Sequence, residues 1–182
     1  MPDFDYNAIL NEFGDTLENL SVDTSREHEI GKIYLTSSKY RAIGFDNFVH
    51  SLAEPMVPHN RPKSCDVLIK INDYYYFIEF KNGRIKEEPE GYEIREKVLE
   101  SLLLFLNEVN QTISYSRNNC YFILVYNANS TGKKKKPKGL IQIENKIDSL
   151  THLKKYETIY MKRIFIFSTD EFDKYFIKKH RL

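Results

Sequence analysis

Two stretches of β-forming residues flank one short turn, and the other apolar and polar positions of the chain arrange themselves around them. Cys65 to Ile71 reads C-D-V-L-I-K-I and Tyr74 to Lys81 reads Y-Y-Y-F-I-E-F-K. Both are rich in the β-branched and aromatic residues that suit a pleated surface, so both are expected strands. Asn72-Asp73 is the expected turn, because Asn and Asp tolerate the positive φ of a two-residue hairpin. That turn pairs Ile71 with Tyr74 and sets every later pair: Lys70 with Tyr75, Leu68 with Phe77, Asp66 with Glu79.

On either side the period changes. From Asp3 to Leu20, Tyr6, Ile9, Leu10, Phe13, Leu17 and Leu20 fall near helical spacing, which predicts one amphipathic helix. Ser21 to His28 is polar and predicts a loop, Ile30 to Leu35 a short strand. Gly44 to Glu54 predicts a short helix or irregular segment closed by Pro55. Tyr92 to Ile113 sets Ile94, Val98, Leu102, Phe105, Leu106, Val109 and Ile113 on one stripe, the plainest helix in the chain. Cys120 to Tyr126 is continuously apolar, as a buried central strand is, and the order hairpin, helix, strand implies a crossover connection. Leu140 to Leu153 predicts a helix and Arg163 to Ser168 a strand. Ser168 with Glu171 is a capping-box signal for a last helix bearing Phe172, Phe176 and Ile177, whose end carries Lys178, Lys179, His180 and Arg181. The fold class is α/β, a central mixed sheet flanked by helices.

Composition narrows the class without redirecting it. Hydrophobic residues make up 41% and charged residues 29% of 182 residues, a globular balance that fits one domain over 1–182. Its core is expected over about 45–126, with a helical segment at 3–20 before it and helix, strand and helix at 140–179 after it. The net charge of +1 makes no global electrostatic case for nucleic acid, so any basic surface must be local. Cys65 and Cys120 fall in predicted strands and read as small core residues of a reducing compartment. No stretch approaches the ~18–20 apolar residues of a membrane span, and the N-terminus has no signal-like apolar run, so the expected location is the cytoplasm. The five histidines show no metal-ligand spacing, and there is no glycine-rich phosphate loop, internal repeat or G-x-S-x-G elbow.

The hairpin carries the candidate chemistry. Its register opposes two carboxylates, Asp66 and Glu79, at a spacing where like charges destabilise a strand pair unless something offsets them. Lys81 projects from the same face as Glu79, one step along the strand. Magnesium takes oxygen ligands and is usually held by one or two carboxylates, so Asp66 and Glu79 are the candidate ligands for magnesium or manganese. Lys81 beside them suits charge developing on a phosphate or the orientation of an attacking water.

Asp66, Glu79-Phe80-Lys81 and the helix after them resemble the PD-(D/E)xK nuclease-like superfamily. More narrowly, they resemble small uncharacterised bacterial proteins of that superfamily with an S-x-D…Y-F-I-E-F-K-N-G signature. The likeness covers about residues 45–125. It implies a restriction-endonuclease-like core, Asp66, Glu79 and Lys81 as catalytic residues, and a nucleic-acid substrate, with DNA expected first. The resembled proteins tend to carry a Lys and a Ser on the helix, here Lys97 and Ser101, one turn apart beside the apolar stripe. The superfamily often adds an acid from upstream; Glu54, Asp46 and Glu29 are candidates, and spacing does not choose among them. The loop from Asn127 to Gly139 carries Lys133, Lys134, Lys135 and Lys136, which suit either plain solvation or sequence-independent contact with a phosphate backbone.

Two functions follow as expectations. One is a magnesium-dependent nuclease. The other is a nuclease fold without catalysis, serving as a binding, immunity or regulatory module with a protein partner.

Overall fold

Strands β5 (Val67–Ile71) and β6 (Tyr74–Lys81) form the hairpin with pairs from Ile71–Tyr74 to Val67–Ile78. Asn72 takes the turn with φ at 54°, the left-handed conformation that Asn tolerates. The computed structural model describes residues 4–23, 31–55, 61–83, 85–127 and 140–182, the side chains of 140–144 excepted.

A six-stranded mixed sheet surrounds the hairpin, adding β1 (Gly14–Thr16), β4 (Arg41–Gly44), β7 (Cys120–Tyr126) and β8 (Arg163–Ser168) in the order β1-β4-β5-β6-β7-β8. The pairs from β1 to β6 are antiparallel, while β6, β7 and β8 run parallel. The parallel step from β6 to β7 requires a crossover, which α4 (Tyr92–Glu108) and α5 (Ile113–Asn119) provide. A separate small ribbon joins β2 (Val22–Asp23) to β3 (Ile33–Tyr34).

Period-two alternation along β6 divides the core between the two faces of the sheet. Tyr75 and Phe77 share one cluster with Ile94, Val98, Leu102 and Phe105 of α4 and with Phe45 and Phe48 of α3 (Phe45–Ala53). Tyr76 and Ile78 face the other way, into a cluster with Phe172, Phe176 and Ile177. Those three lie on a last helical segment that begins as α7 (Thr169–Phe172), capped reciprocally by Ser168 and Glu171 as the sequence predicts. Glu79 and Lys81 continue the Tyr75–Phe77 face. They therefore lie on the side of the sheet that α4 covers.

Several sequence expectations change. The strand expected from Cys65 begins at Val67, so the ladder ends at Val67–Ile78 and Asp66 is not paired with Glu79 in it, and the loop expected over Ser21 to His28 holds β2. The helix predicted over 3–20 is α1 (Tyr6–Phe13), then β1, then the short α2 (Leu17–Leu20). The break is local chemistry: Asp15 accepts from the Thr16 N–H and Thr16 caps α2 through the Asn19 N–H, so both side chains draw the backbone out of the helix. The stripe predicted over 92–113 divides where Asn110 adopts φ of 49° between α4 and α5. Strand β4 was not expected. Arg163 to Ser168 and Cys120 to Tyr126 fall where their patterns place them.

The start of α4 is held against the end of α6 (Leu140–Thr151) by a glycine. A Cβ on Gly91 would lie 2.4 Å from the Leu150 carbonyl oxygen and 3.1 Å from that of Lys86. Gly91→Ala is therefore expected to cost about 1–3 kcal/mol, the usual range for overpacking, by forcing α4 off its seat. Denaturant unfolding measures it, and an unchanged midpoint would contradict this packing.

Candidate active site

Asp66 occupies a bend just before β5, one step short of the last ladder pair, and its backbone and side chain both reach neighbours. The Phe45 N–H donates to its carbonyl at 2.9 Å, tying it to the start of α3. The Phe80 N–H donates to its Oδ2 at 2.7 Å, which turns the carboxylate toward β6 between Glu79 and Lys81. The loop into it is braced as well, with Ser64 donating to Asp46 at 2.7 Å and the Cys65 N–H donating to Ser101 Oγ at 2.8 Å. Ser101, fully buried, thus acts on the backbone beside Asp66.

One ammonium connects the two carboxylates. Lys97 Nζ lies 2.8 and 3.0 Å from the two oxygens of Glu79 and 3.4 Å from Asp66 Oδ1. Lys81 Nζ reaches Glu79 Oε1 at 3.5 Å. Exposure separates the members: the Glu79 side chain is 1% accessible, against 25% for Lys81, 23% for Lys97 and 27% for Asp66. Asp66, Glu79, Lys81, Lys97 and Ser101, five residues singled out in the sequence, therefore converge on one end of the hairpin.

Burial pushes the Glu79 carboxyl up to about 8 from an ordinary 4.5, and the neighbouring Asp66 charge adds to the rise against the pull of Lys97 and Lys81. Burial also raises Asp66, opposed by Lys97, by the Phe80 N–H and by Lys81. For Lys97, burial acts to lower the value, but Glu79 and Asp66 together outweigh it and hold the ammonium charged. Cys65, buried beside the site, has its thiol pushed well up by burial, which makes it a core residue and not a nucleophile. Cys120 is likewise buried and free.

A pH prediction follows with its sign. Between about 4.5 and 8 the folded protein keeps a proton on Glu79 that the unfolded chain has released, so this group's contribution to stability falls as pH rises through that window. Carbon-13 titration of labelled carboxyls is expected to show the Glu79 resonance moving near pH 8. Both Asp66 and Glu79 titrating at ordinary carboxylate values would contradict the paired arrangement.

A cleft of about 670 Å³ opens in front of the site, with Asp23, Asp66, Lys81, Asn82, Lys86 and Glu90 among its lining residues. Asn82 donates to Asp23 at 2.8 Å and accepts from Asn127 at 2.7 Å, so the turn after Lys81 is pinned to the β2 ribbon and to the end of β7. Glu90 Oε2 is buried with no hydrogen-bond partner among the described residues. Sequence reading missed Asp23, Asn127 and Glu90. Nothing near Asp23 in the chain marks it, while Asn82 was visible only as the residue following the E-x-K.

The upstream acids do not join. Asp46, in the first turn of α3, is taken by Ser64 and by Arg61 at 3.6 Å, so it braces the loop into Asp66. Glu54 caps the exposed end of α3, and Glu29 lies outside the described residues. Among the described residues no three His, Cys, Asp or Glu side chains group as a metal site. Lys133, Lys134, Lys135 and Lys136 also lie outside the described residues. No described helix is long and apolar enough to cross a membrane.

No family model matches the chain. Comparison with curated proteins and with solved structures likewise returned no match. The functional reading therefore stands on the residues and their geometry.

Proposed function

We propose that this chain is a metal-dependent nuclease of the PD-(D/E)xK type, hydrolysing phosphodiesters with magnesium or manganese and acting first on DNA. The observation that carries the reading is the convergence of two carboxylates, Asp66 from the bend before β5 and Glu79 from β6, on one cation, with Lys81 beside them at a cleft. The donor set suits a hard divalent ion in kind: Asp66 and Glu79 offer carboxylate oxygens, and both already hold a cation, the Lys97 ammonium. Asp66 and Glu79 would be the ligands. An ion bound there supplies Lewis acidity and a water of lowered pKa.

The chain's own groups do the rest. Lys81, one quarter exposed and lining the cleft, is placed to meet a phosphate oxygen and stabilise the charge that develops on it. The Phe80 N–H orients Asp66, and Ser101 holds the backbone before it. Lys86 adds a second cation to the cleft wall.

One observation favours the second reading, a nuclease fold kept as a binding module. Lys97 bridges the two carboxylates and Lys81 lies beside Glu79, so the site is charge-balanced by the chain's own lysines as it stands. The test is incubation of plasmid DNA and structured RNA with magnesium, manganese and chelator. Ion-dependent cutting of either polymer supports the nuclease. Protein that cuts neither and binds no divalent ion at millimolar concentration overturns it.

A further inference from the structure

Three of the four carboxylate oxygens of Asp66 and Glu79 face the Lys97 ammonium, and the fourth accepts the Phe80 N–H. Each oxygen of the pair already faces a positively polarised partner, and Glu79 Oε1 faces both lysines. With both acids ionised, Lys81 and Lys97 balance them, so the addition of a divalent ion to the unchanged site would leave two positive charges in excess. Like charges a few ångströms apart in a partly buried site repel strongly. An ion therefore enters by replacing something.

The backbone of Lys97 is fixed while its side chain has somewhere to go. The Cys65 thiol lies 3.7 Å from the Lys97 carbonyl oxygen as its donor, and the Cys65 N–H holds Ser101 one turn on, so this turn of α4 is stitched to the residue preceding Asp66. The side chain, in contrast, is 23% exposed. Rotation of the four-carbon stem alone frees the carboxylates and leaves the helix in place. Lys81 differs, since it approaches one Glu79 oxygen only, at 3.5 Å.

We propose that Lys97 is the resident counter-cation of this site, held where a divalent ion binds, and that metal loading is an exchange with its ammonium. The inference rests on the metal-dependent reading above. It makes Lys97 a residue that sets metal affinity, weakening binding in the free protein, whereas Asp66 and Glu79 set whether an ion binds at all.

The test is calorimetric titration of manganese into the wild-type protein, Lys97→Met, Lys97→Gln and Lys81→Met, each first shown to be folded by circular dichroism. Removing the competing charge is expected to tighten manganese binding about tenfold or more in both Lys97 variants, and by less than about threefold in Lys81→Met. If Lys97→Met does not fold, Lys97→Gln, which keeps a donor for Glu79, carries the comparison. Equal affinity in the wild type and the Lys97 variants, or loss of binding in those variants, overturns the exchange and leaves the metal reading standing. Absence of binding in all four proteins overturns the metal reading itself, and the exchange with it.

Discussion

Lys97→Met is expected to cost about 1 kcal/mol near pH 6 and about 3 kcal/mol near pH 9.5, because the loss changes from hydrogen bonds to an uncompensated buried charge. Near pH 6 Glu79 holds its proton in the folded protein, since its carboxyl is pushed up to about 8, and the variant gives up contacts to a neutral Glu79 together with the longer contact to Asp66 at 3.4 Å. Above that value the wild type pairs the ionised Glu79 with Lys97. The variant cannot, so its Glu79 keeps a proton to higher pH, and wild type and variant diverge as pH rises. Chemical denaturation at the two pH values reads the difference. The double variant Lys97→Met with Glu79→Leu removes both charges and is expected to lose the pH dependence, being at least as stable as Lys97→Met alone near pH 9.5. A Lys97→Met cost that is the same at both pH values would show that the charge pair does not govern this end of the sheet.

Asp66→Asn and Lys81→Ala are both expected to lower magnesium-dependent cleavage by about a hundredfold or more, the scale of removing a transition-state charge partner. They differ in how. Asp66→Asn removes a charged donor, so metal binding is lost along with cleavage. Lys81→Ala removes a cation near the ligands, so metal binding is retained or slightly improved while cleavage is lost. Neither is expected to unfold the protein, because both side chains are about one quarter exposed and leave the apolar cluster under α4 untouched. Cleavage rate beside metal affinity for the two variants separates a ligand from a group that serves the reacting phosphate. A Lys81→Ala protein that cuts at the wild-type rate would remove Lys81 from the chemistry.

The hairpin was legible because several signals agreed there. Asn72-Asp73 permitted the left-handed turn, and with that turn Leu68 had to meet Phe77 and Glu79 had to share a face with Lys81. Strands β7 and β8 were legible from continuous or alternating apolar runs. What could not be read was set by contacts distant in sequence or by short segments. The four residues of β4, Arg41 to Gly44, are too few to show a period, and Ala42 and Ile43 are buried by the apolar clusters on opposite faces of the sheet, which gather residues distant in sequence. The N-terminal stripe was truly amphipathic, but periodicity cannot see Asp15 and Thr16 taking backbone N–H groups for themselves.

The site was half legible on the same grounds. Residue spacing on α4 put Lys97 and Ser101 on the turn nearest the Glu79 end, yet a helix read by itself does not say that one side chain will span both acids while the other holds a backbone N–H. Asp23 and Glu90 reach the cleft from elements whose placement depends on the whole fold, the β2 ribbon and the turn before α4. Asp46 shows the converse. It had the right chemistry for a third ligand, and the structure assigns it to Ser64 and Arg61 instead.

The central claim is that Asp66 and Glu79 together hold a divalent ion, and calorimetric titration of manganese into the wild-type protein and Asp66→Asn tests it most directly. The account predicts a saturable binding event in the wild type that is weak, because the Lys97 ammonium competes for the same oxygens, and that disappears in Asp66→Asn. No binding to the wild type at millimolar manganese, or equal binding to the two proteins, would contradict it.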